Sequence, residues 1–225
     1  MRIEYCLPII KKSKKEVLDT VAKYRNEFEL LEIWLDPIKD IDAAFVDKLI
    51  YMLQDKLILL FHRSDKIQTT ISKELKEKIL DLLDDQKSYI DLDLSEKEEI
   101  AYLKKKQIKV KTIISYHNYV ETPVDLMEKI KLMDVISPAV YKIATMCNNE
   151  TDALKLLLLQ QNLKAQNKKH IVLGMGEFGT ITRVFGTLWG NKIIYAPVTK
   201  KEASAPGQLT KQELEKIFTE LSTRN

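Results

Sequence analysis

Short runs of apolar residues recur along the chain, and a longer amphipathic segment follows each of them. Most runs have four to seven residues and are rich in Ile, Leu, Val and Tyr, which is typical of strands buried on both faces. The pattern predicts eight strands, at residues 3–7, 30–35, 56–61, 89–94, 110–115, 140–145, 170–175 and 193–198.

Helix signals lie between the predicted strands. Residues 43–50 place apolar side chains at helical spacing, and Ile71, Leu75 and Ile79 follow an i, i+4 pattern after a start signal at Thr69-Thr70. We expect helix caps at Ser95-x-x-Glu98, at Thr210-x-x-Glu213 and at Asn149, which precedes the Leu-rich segment 154–163.

The alternation of strands and helices predicts the fold class. A strand followed by a helix, eight times over, indicates parallel strands joined by right-handed crossovers. Eight such units fit an α/β fold, a single-domain (β/α)8 TIM barrel over residues 1–225. An open doubly wound sheet is the alternative.

Composition and charge narrow the function classes. The chain has 225 residues, 45% of them hydrophobic, and its 36 basic and 33 acidic side chains leave a net charge of +3. That excess is too small for a polybasic nucleic-acid binder. Two cysteines cannot form a disulfide framework, no apolar run approaches the ~20 residues of a membrane span, and the first residues carry no signal pattern. We expect a cytoplasmic protein without nucleic-acid or membrane partners.

Polar side chains stand at the ends of the predicted strands, where a barrel gathers its reacting groups. Lys142 lies within the sixth apolar run, and loss of hydration there favours a neutral amine that can form a Schiff base with a carbonyl. The alternative is a strand-end lysine whose head reaches solvent or pairs with an acid. His117, at the end of the fifth strand, is either an acid and base near neutral pH or a structural histidine.

The sequence contains one weak signal for a cofactor and none for a metal. Gly174-x-Gly176-x-x-Gly179 follows a strand, as a dinucleotide-binding loop does, but Lys200 and Lys201 stand where such a loop needs an acidic residue about 20 positions on. We expect these glycines to let backbone approach a ligand closely. No His, Cys and Asp cluster has zinc-like spacing, so we expect neither a metal nor another cofactor.

Taken in order, the polar segments resemble type I 3-dehydroquinate dehydratase, the Schiff-base enzyme of the shikimate pathway, over nearly the whole chain. The likeness begins at Glu32-Ile33-Trp34-Leu35-Asp36 and closes at Ser204-Ala205-Pro206-Gly207-Gln208. Between them lie Phe61-His62-Arg63-Ser64, Asp91-Leu92-Asp93, Ser115-Tyr116-His117-Asn118-Tyr119, Tyr141-Lys142-Ile143-Ala144, Met175-Gly176 and Thr182-Arg183.

The resemblance implies a lyase that dehydrates 3-dehydroquinate to 3-dehydroshikimate without a cofactor. It implies that Lys142 forms an iminium with the substrate ketone and that His117 moves the protons as general base and acid. It further implies that Arg183 holds the substrate carboxylate by bidentate hydrogen bonds, which a lysine makes poorly. The residues that the family uses for the ring hydroxyls correspond to Glu32, Arg63, Ser204 and Gln208.

Two positions depart from the family pattern. Ile67 stands where the family has a glutamate that orients the catalytic histidine, and Trp34 replaces an arginine with a single neutral N–H donor. The alternative functions are therefore an impaired homologue that retains ligand binding, or another Schiff-base barrel enzyme such as an aldolase. By analogy with the family, the protein partner is a second copy of the chain or a fused shikimate dehydrogenase.

Overall fold

The structure is a computed structural model that describes residues 3–61 and 71–222. Eight strands and eight α-helices alternate along these residues, and none of the helices is long and apolar enough to cross a bilayer. The strands are β1 (Tyr5–Ile9), β2 (Leu30–Trp34), β3 (Leu57–Leu60), β4 (Tyr89–Asp93), β5 (Lys111–Asn118), β6 (Val140–Met146), β7 (His170–Met175) and β8 (Ile194–Tyr195). The helices are α1 (Lys14–Tyr24), α2 (Ala43–Leu53), α3 (Lys73–Leu82), α4 (Lys97–Lys106), α5 (Leu126–Asp134), α6 (Glu150–Ala165), α7 (Gly176–Trp189) and α8 (Lys211–Ser222).

The order of the strands identifies the fold class. They are hydrogen-bonded in the order β7-β6-β5-β4-β3-β2-β1-β8, so consecutive strands from β1 to β7 are neighbours and β8 lies beside β1. Pairing of the last strand with the first is what a (β/α)8 barrel requires, whereas a doubly wound sheet changes direction near its middle. The (β/α)8 barrel prediction is confirmed, and the open-sheet alternative is wrong.

Two compact units make up the described chain. The first contains residues 3–7, 116–135 and 140–222, and the second contains residues 8–61, 71–115 and 136–139. Of the predicted site residues, the second unit holds Glu32, and the first holds His117, Lys142, Arg183, Ser204 and Gln208. A single domain over residues 1–225 stays a prediction.

Burial on both strand faces follows the apolar pattern. Every residue of β1, β2, β3 and β7 is buried, as expected for parallel strands covered on both faces. Three strands end later than the pattern predicted, because β1 ends at Ile9, β5 at Asn118 and β6 at Met146. His117 is thus the second-last residue of β5, and Lys142 lies within β6 as predicted.

Two predicted helix caps are confirmed. The side chain of Asn149 accepts a hydrogen bond from the backbone N–H of Asp152 at 3.0 Å, which caps α6. At α8, the backbone N–H of Thr210 donates to Oε2 of Glu213 at 2.9 Å, and the N–H of Glu213 donates to Oγ1 of Thr210 at 3.2 Å. These reciprocal bonds satisfy donors that a helix start leaves unpaired.

The capping box at Ser95 and Glu98 is wrong. The hydroxyl of Ser95 donates instead to Oδ1 of Asp93 at 2.8 Å, and the start of α4 has no side-chain cap bond. The start signal Thr69-Thr70 lies outside the described residues, and the cap of α3 is Ser72. An N-cap side chain accepts from a backbone N–H of the first helical turn, and here the Ser95 side chain is turned to Asp93 instead of to that turn.

Candidate active site

Lys142 is a buried amine inside β6. Its residue is 1% exposed, and its Nζ donates a hydrogen bond to Oη of Tyr195 at 2.7 Å. The same nitrogen lies 4.1 Å from the centre of the Tyr195 ring. Tyr195 ends β8 and is 3% exposed, so both partners lie in the interior of the first compact unit. The predicted burial of Lys142 is confirmed, and a head group that reaches solvent is excluded.

His117 lies on β5, the strand beside β6 in the sheet, and it is partly exposed. Its ring stacks on that of Tyr119, with ring centres 6.2 Å apart and ring planes 17° apart. A partly exposed imidazole can exchange protons near neutral pH. Its assignment as the acid and base for an adduct on Lys142 stays a prediction.

Arg183 is a buried cation on α7. It is 1% exposed, and its Nη2 donates to the carbonyl oxygen of Pro206 at 3.4 Å. Among the described residues, no hydrogen-bond partner occurs for its Nε or Nη1. Burial lowers the pKa of Arg183 to about 10, because a charged group is disfavoured away from water. A planar guanidinium binds both oxygens of a carboxylate through a fork of parallel N–H groups, which Nη2 can form with either Nε or Nη1 by its second N–H.

Ser204 and Gln208 form a closed pair in the loop after β8. The backbone N–H of Ser204 donates to Oε1 of Gln208 at 2.8 Å, and Nε2 of Gln208 donates to Oγ of Ser204 at 2.9 Å. Between them, Gly207 has a φ of +77°, and a Cβ there would lie 2.4 Å from the carbonyl oxygen of Gly176. The N–H of Gly176 donates to the oxygen of Pro206 at 3.2 Å, so the loop is held against the start of α7.

The glycine motif after β7 is a packing feature. A Cβ on Gly179 would lie 2.4 Å from the carbonyl carbon of Gly174, and a Cβ on Gly174 would lie 2.6 Å from Sγ of Cys147. Oγ1 of Thr182 joins the two segments, since it accepts from the N–H of Gly174 at 2.7 Å and donates to the oxygen of Gly179 at 2.6 Å. These glycines allow strand and helix to approach each other, and a close approach of their backbone to a ligand stays a prediction.

In the second unit, Glu32 is fully buried on β2 and accepts a hydrogen bond from Nε1 of Trp34 at 3.0 Å. Residues two apart on a strand face the same way, so the indole that stands at the family's arginine position can donate to this carboxylate. Arg63 and Ile67 lie outside the described residues.

Sequence reasoning missed two side chains with unusual surroundings. Tyr195 had a signal, because it is the polar member of the apolar run 193–198. Glu96 had none, since it lies in a polar stretch. Its Oε2 accepts from the N–H of Asp93 at 2.8 Å, its buried Oε1 has no partner among the described residues, and burial raises the pKa of Glu96 to about 8. No group of three or more His, Cys, Asp or Glu side chains that could hold a metal ion occurs in residues 3–61 and 71–222.

The fold and the site together define a class of protein, the (β/α)8-barrel enzymes that bury a lysine in a strand and an arginine in the helix after the next strand. Here these residues are Lys142 on β6 and Arg183 on α7. The family model described as type I 3-dehydroquinase matches residues 5–225. The chain belongs to this family of enzymes, which dehydrate 3-dehydroquinate. The family resemblance seen in the polar segments is thereby confirmed.

Individual relatives align with this chain over nearly their full length. The 3-dehydroquinate dehydratase of Hydrogenobaculum sp. (strain Y04AAS1) is 31% identical and aligns over 96% of this chain and 97% of its own. That of Coxiella burnetii (strain CbuK_Q154) is 31% identical over 97% of this chain and 94% of its own. The type I enzyme of Clostridium difficile superposes with a TM-score of 0.81 at 25% identity, over 100% and 94% of the two chains. The Geobacillus kaustophilus HTA426 enzyme, at 22% identity, supports the fold with a TM-score of 0.84 over 99% and 92%.

Proposed function

We propose that the chain converts 3-dehydroquinate to 3-dehydroshikimate through a Schiff base on Lys142. The observation that carries the proposal is the burial of Lys142 and Arg183 in one compact unit, with Nε and Nη1 of the arginine lacking partners among the described residues. A buried primary amine is a nucleophile for a ketone, and the guanidinium is a receptor for the substrate carboxylate. The Clostridium difficile relative, whose structure carries covalent modified comenic acid, also supports covalent chemistry.

In the proposed reaction, Nζ of Lys142 adds to the substrate ketone and a water leaves, which forms an iminium. The iminium withdraws electrons and acidifies the adjacent carbon, from which His117 takes a proton. The electron pair of that C–H bond becomes the new double bond as the hydroxyl departs with a proton returned by His117. Water then hydrolyses the iminium and frees Lys142. The balance is the loss of one water, and no cofactor is consumed.

The remaining residues hold the substrate in place. Arg183 binds the carboxylate, and the ring hydroxyls are bound by Ser204, Gln208, Glu32 and Arg63. All four of these hydroxyl assignments rest on the family resemblance. Holding the ring over the reacting groups can lower a barrier by up to roughly 7–11 kcal/mol, because the entropy of encounter is lost on binding.

Borohydride trapping tests the Schiff base. We expect 3-dehydroquinate plus borohydride to add a covalent mass to the peptide that contains Lys142, and we expect the untreated protein to produce the ultraviolet absorbance of a conjugated enone. The variant Lys142→Met loses both signals. Lys131→Met is the matched control, because Lys131 is exposed on α5 and pairs with Glu128, and it keeps both signals.

Three outcomes would contradict the proposal. Enone formation by Lys142→Met would exclude an obligatory Schiff base on this residue. Calorimetric binding of 3-dehydroquinate by a folded wild-type protein that shows no turnover at any pH would favour the ligand-binding homologue. Release of an aldehyde from a phosphorylated sugar would favour an aldolase.

The family resemblance also supports a cytoplasmic homodimer, which we propose as the assembly of this chain. Light scattering on the purified protein is expected to return the mass of two chains. Co-purification tests the alternative partner, a shikimate dehydrogenase.

A further inference from the structure

The hydrogen bond between Lys142 and Tyr195 joins two strands that do not pair with each other. β6 pairs with β7 and β8 pairs with β1, so the contact is not a by-product of neighbouring positions in the sheet. Tyr195 is held independently of β6, because it pairs with Cys6 and the following N–H, of Ala196, donates to the oxygen of Cys6 at 2.9 Å. The phenol is therefore presented to the amine from a separately anchored strand.

The direction of this bond matters for an amine that must attack a carbonyl. The attack uses the lone pair of Nζ, so the N–H bonds must point away from the substrate. A phenol oxygen that accepts one N–H fixes rotation about the last bond of the Lys142 side chain. Nζ of a protonated imine keeps one hydrogen, and Oη of Tyr195 can accept it as well. The hydroxyl of Tyr195 can thus accept a hydrogen bond from Nζ both before and after the covalent bond forms.

We propose that Tyr195 is a positioning residue that orients Nζ of Lys142 for the formation and hydrolysis of the iminium. The ring dehydration itself stays with His117. This inference rests on the proposed function, because it assigns Tyr195 to the same lysine. Tyr195 makes and breaks only hydrogen bonds, so the atom balance of the reaction is unchanged.

The variant Tyr195→Phe removes the hydroxyl and keeps the ring that lies 4.1 Å from Nζ. We expect kcat to fall by about 10- to 100-fold, since orientation of the nucleophile is lost, and KM to change by less than about twofold. Tyr141→Phe is the matched control. Tyr141 precedes Lys142 on β6 and therefore faces the other side of the strand. It is also buried, with 8% of its surface exposed, and its hydroxyl donates to Oδ1 of Asp134 at 2.7 Å. We expect its kcat to equal that of the wild type.

A kinetic isotope effect separates positioning from a general structural effect. The substrate is deuterated at the carbon from which His117 takes the proton, and the iminium is quantified by rapid mixing followed by borohydride quenching. In Tyr195→Phe, iminium formation is expected to slow until it limits turnover, so that its rate equals the lowered kcat and the isotope effect shrinks toward 1. General damage to the site would slow proton removal as well and leave the isotope effect in place, which would overturn the inference.

The outcomes distinguish this inference from the proposed function. Trapping of wild-type Lys142, together with a wild-type rate of iminium formation in Tyr195→Phe, would overturn the inference and leave the proposed function standing. Absence of any adduct in the folded wild type would overturn both. Should Tyr195→Phe not fold, 3-fluorotyrosine placed at position 195 keeps the hydroxyl as a weaker acceptor. An unchanged rate of iminium formation in that protein would then overturn the inference.

Discussion

The indole Nε1 of Trp34 donates a hydrogen bond to Oε2 of Glu32 at 3.0 Å, and both residues are buried. A buried carboxylate is stable only where donors surround it, and the indole is one of them. An arginine at this position would bring a charge and several donors, whereas the indole brings one neutral N–H. Trp34 therefore supplies Glu32 with one neutral hydrogen-bond donor at the position where the family has an arginine.

The variant Trp34→Phe tests this support. Loss of a donor to a buried carboxylate is expected to lower the free energy of unfolding by about 1–3 kcal/mol, measured by urea denaturation followed with circular dichroism. The variant Glu32→Leu, which has no acceptor, and the double variant complete a thermodynamic cycle, in which the two effects are expected to be non-additive. Additive effects would mean that the hydrogen bond contributes nothing to stability.

The variant Arg183→Met separates ligand binding from stability. We expect KM for 3-dehydroquinate to rise by roughly 100-fold or more, because charge-assisted hydrogen bonds to the carboxylate are lost. We expect stability to be unchanged or increased, because a buried cation with unpaired donors is removed. The KM of Arg183→Lys, which keeps a point charge, is expected to lie between that of the wild type and that of Arg183→Met. A KM equal to that of the wild type in Arg183→Met would contradict the assigned role.

Glu96 makes stability depend on pH. Its pKa in the folded chain is raised from 4.5 to about 8, so between these values the folded state binds the proton that the unfolded state has released. Stability is therefore highest below pH 4.5 as far as this group is concerned, and it is lost as pH rises through 8. The loss between pH 5 and pH 8.5 is on the order of 4 kcal/mol.

The variant Glu96→Gln stays neutral and keeps an oxygen that can accept from the N–H of Asp93. We expect it to be more stable than the wild type at pH 8.5 and close to it at pH 5, by urea denaturation at both values. Glu98→Gln, an exposed neighbour that pairs with Lys73, controls for general changes in surface charge. A wild-type pH dependence in Glu96→Gln would show that this carboxyl is not the group responsible.

The variant Gly179→Ala tests the close packing of β7 on α7. A helix usually gains about 1 kcal/mol when Ala replaces Gly, but here the Cβ would lie 2.4–2.8 Å from backbone atoms of Gly174, which cannot move aside. We expect a net loss of about 1–3 kcal/mol. Thr180→Ala, at the next position of α7, adds no atom and is expected to cost less than 1 kcal/mol. Gain of stability in Gly179→Ala, measured as a higher Tm, would contradict the packing account.

The bounds of β7 match the apolar run 170–175, and α6 begins after the predicted cap at Asn149. Both features depend on residues that are close in the chain, namely the burial of successive side chains and a bond from a cap to a donor three residues on. Lys142 stands out for a similar reason, because a charge among apolar neighbours is visible in the chain itself. Its predicted burial is confirmed, whereas Arg183 was identified only through the family resemblance.

The order of the elements and the fold class were readable from the amino-acid sequence, because local burial, capping and strand–helix alternation are properties of neighbouring residues. The family was identified by the resemblance of the polar segments, taken in order, to those of known enzymes. Tertiary structure alone decided that Tyr195 meets Lys142 across 53 residues of chain, that Trp34 turns its indole to Glu32, and that Ser95 bonds Asp93 and not its helix. Such contacts depend on which strands are brought together and which way each side chain turns there, and no pattern of successive residues contains that information.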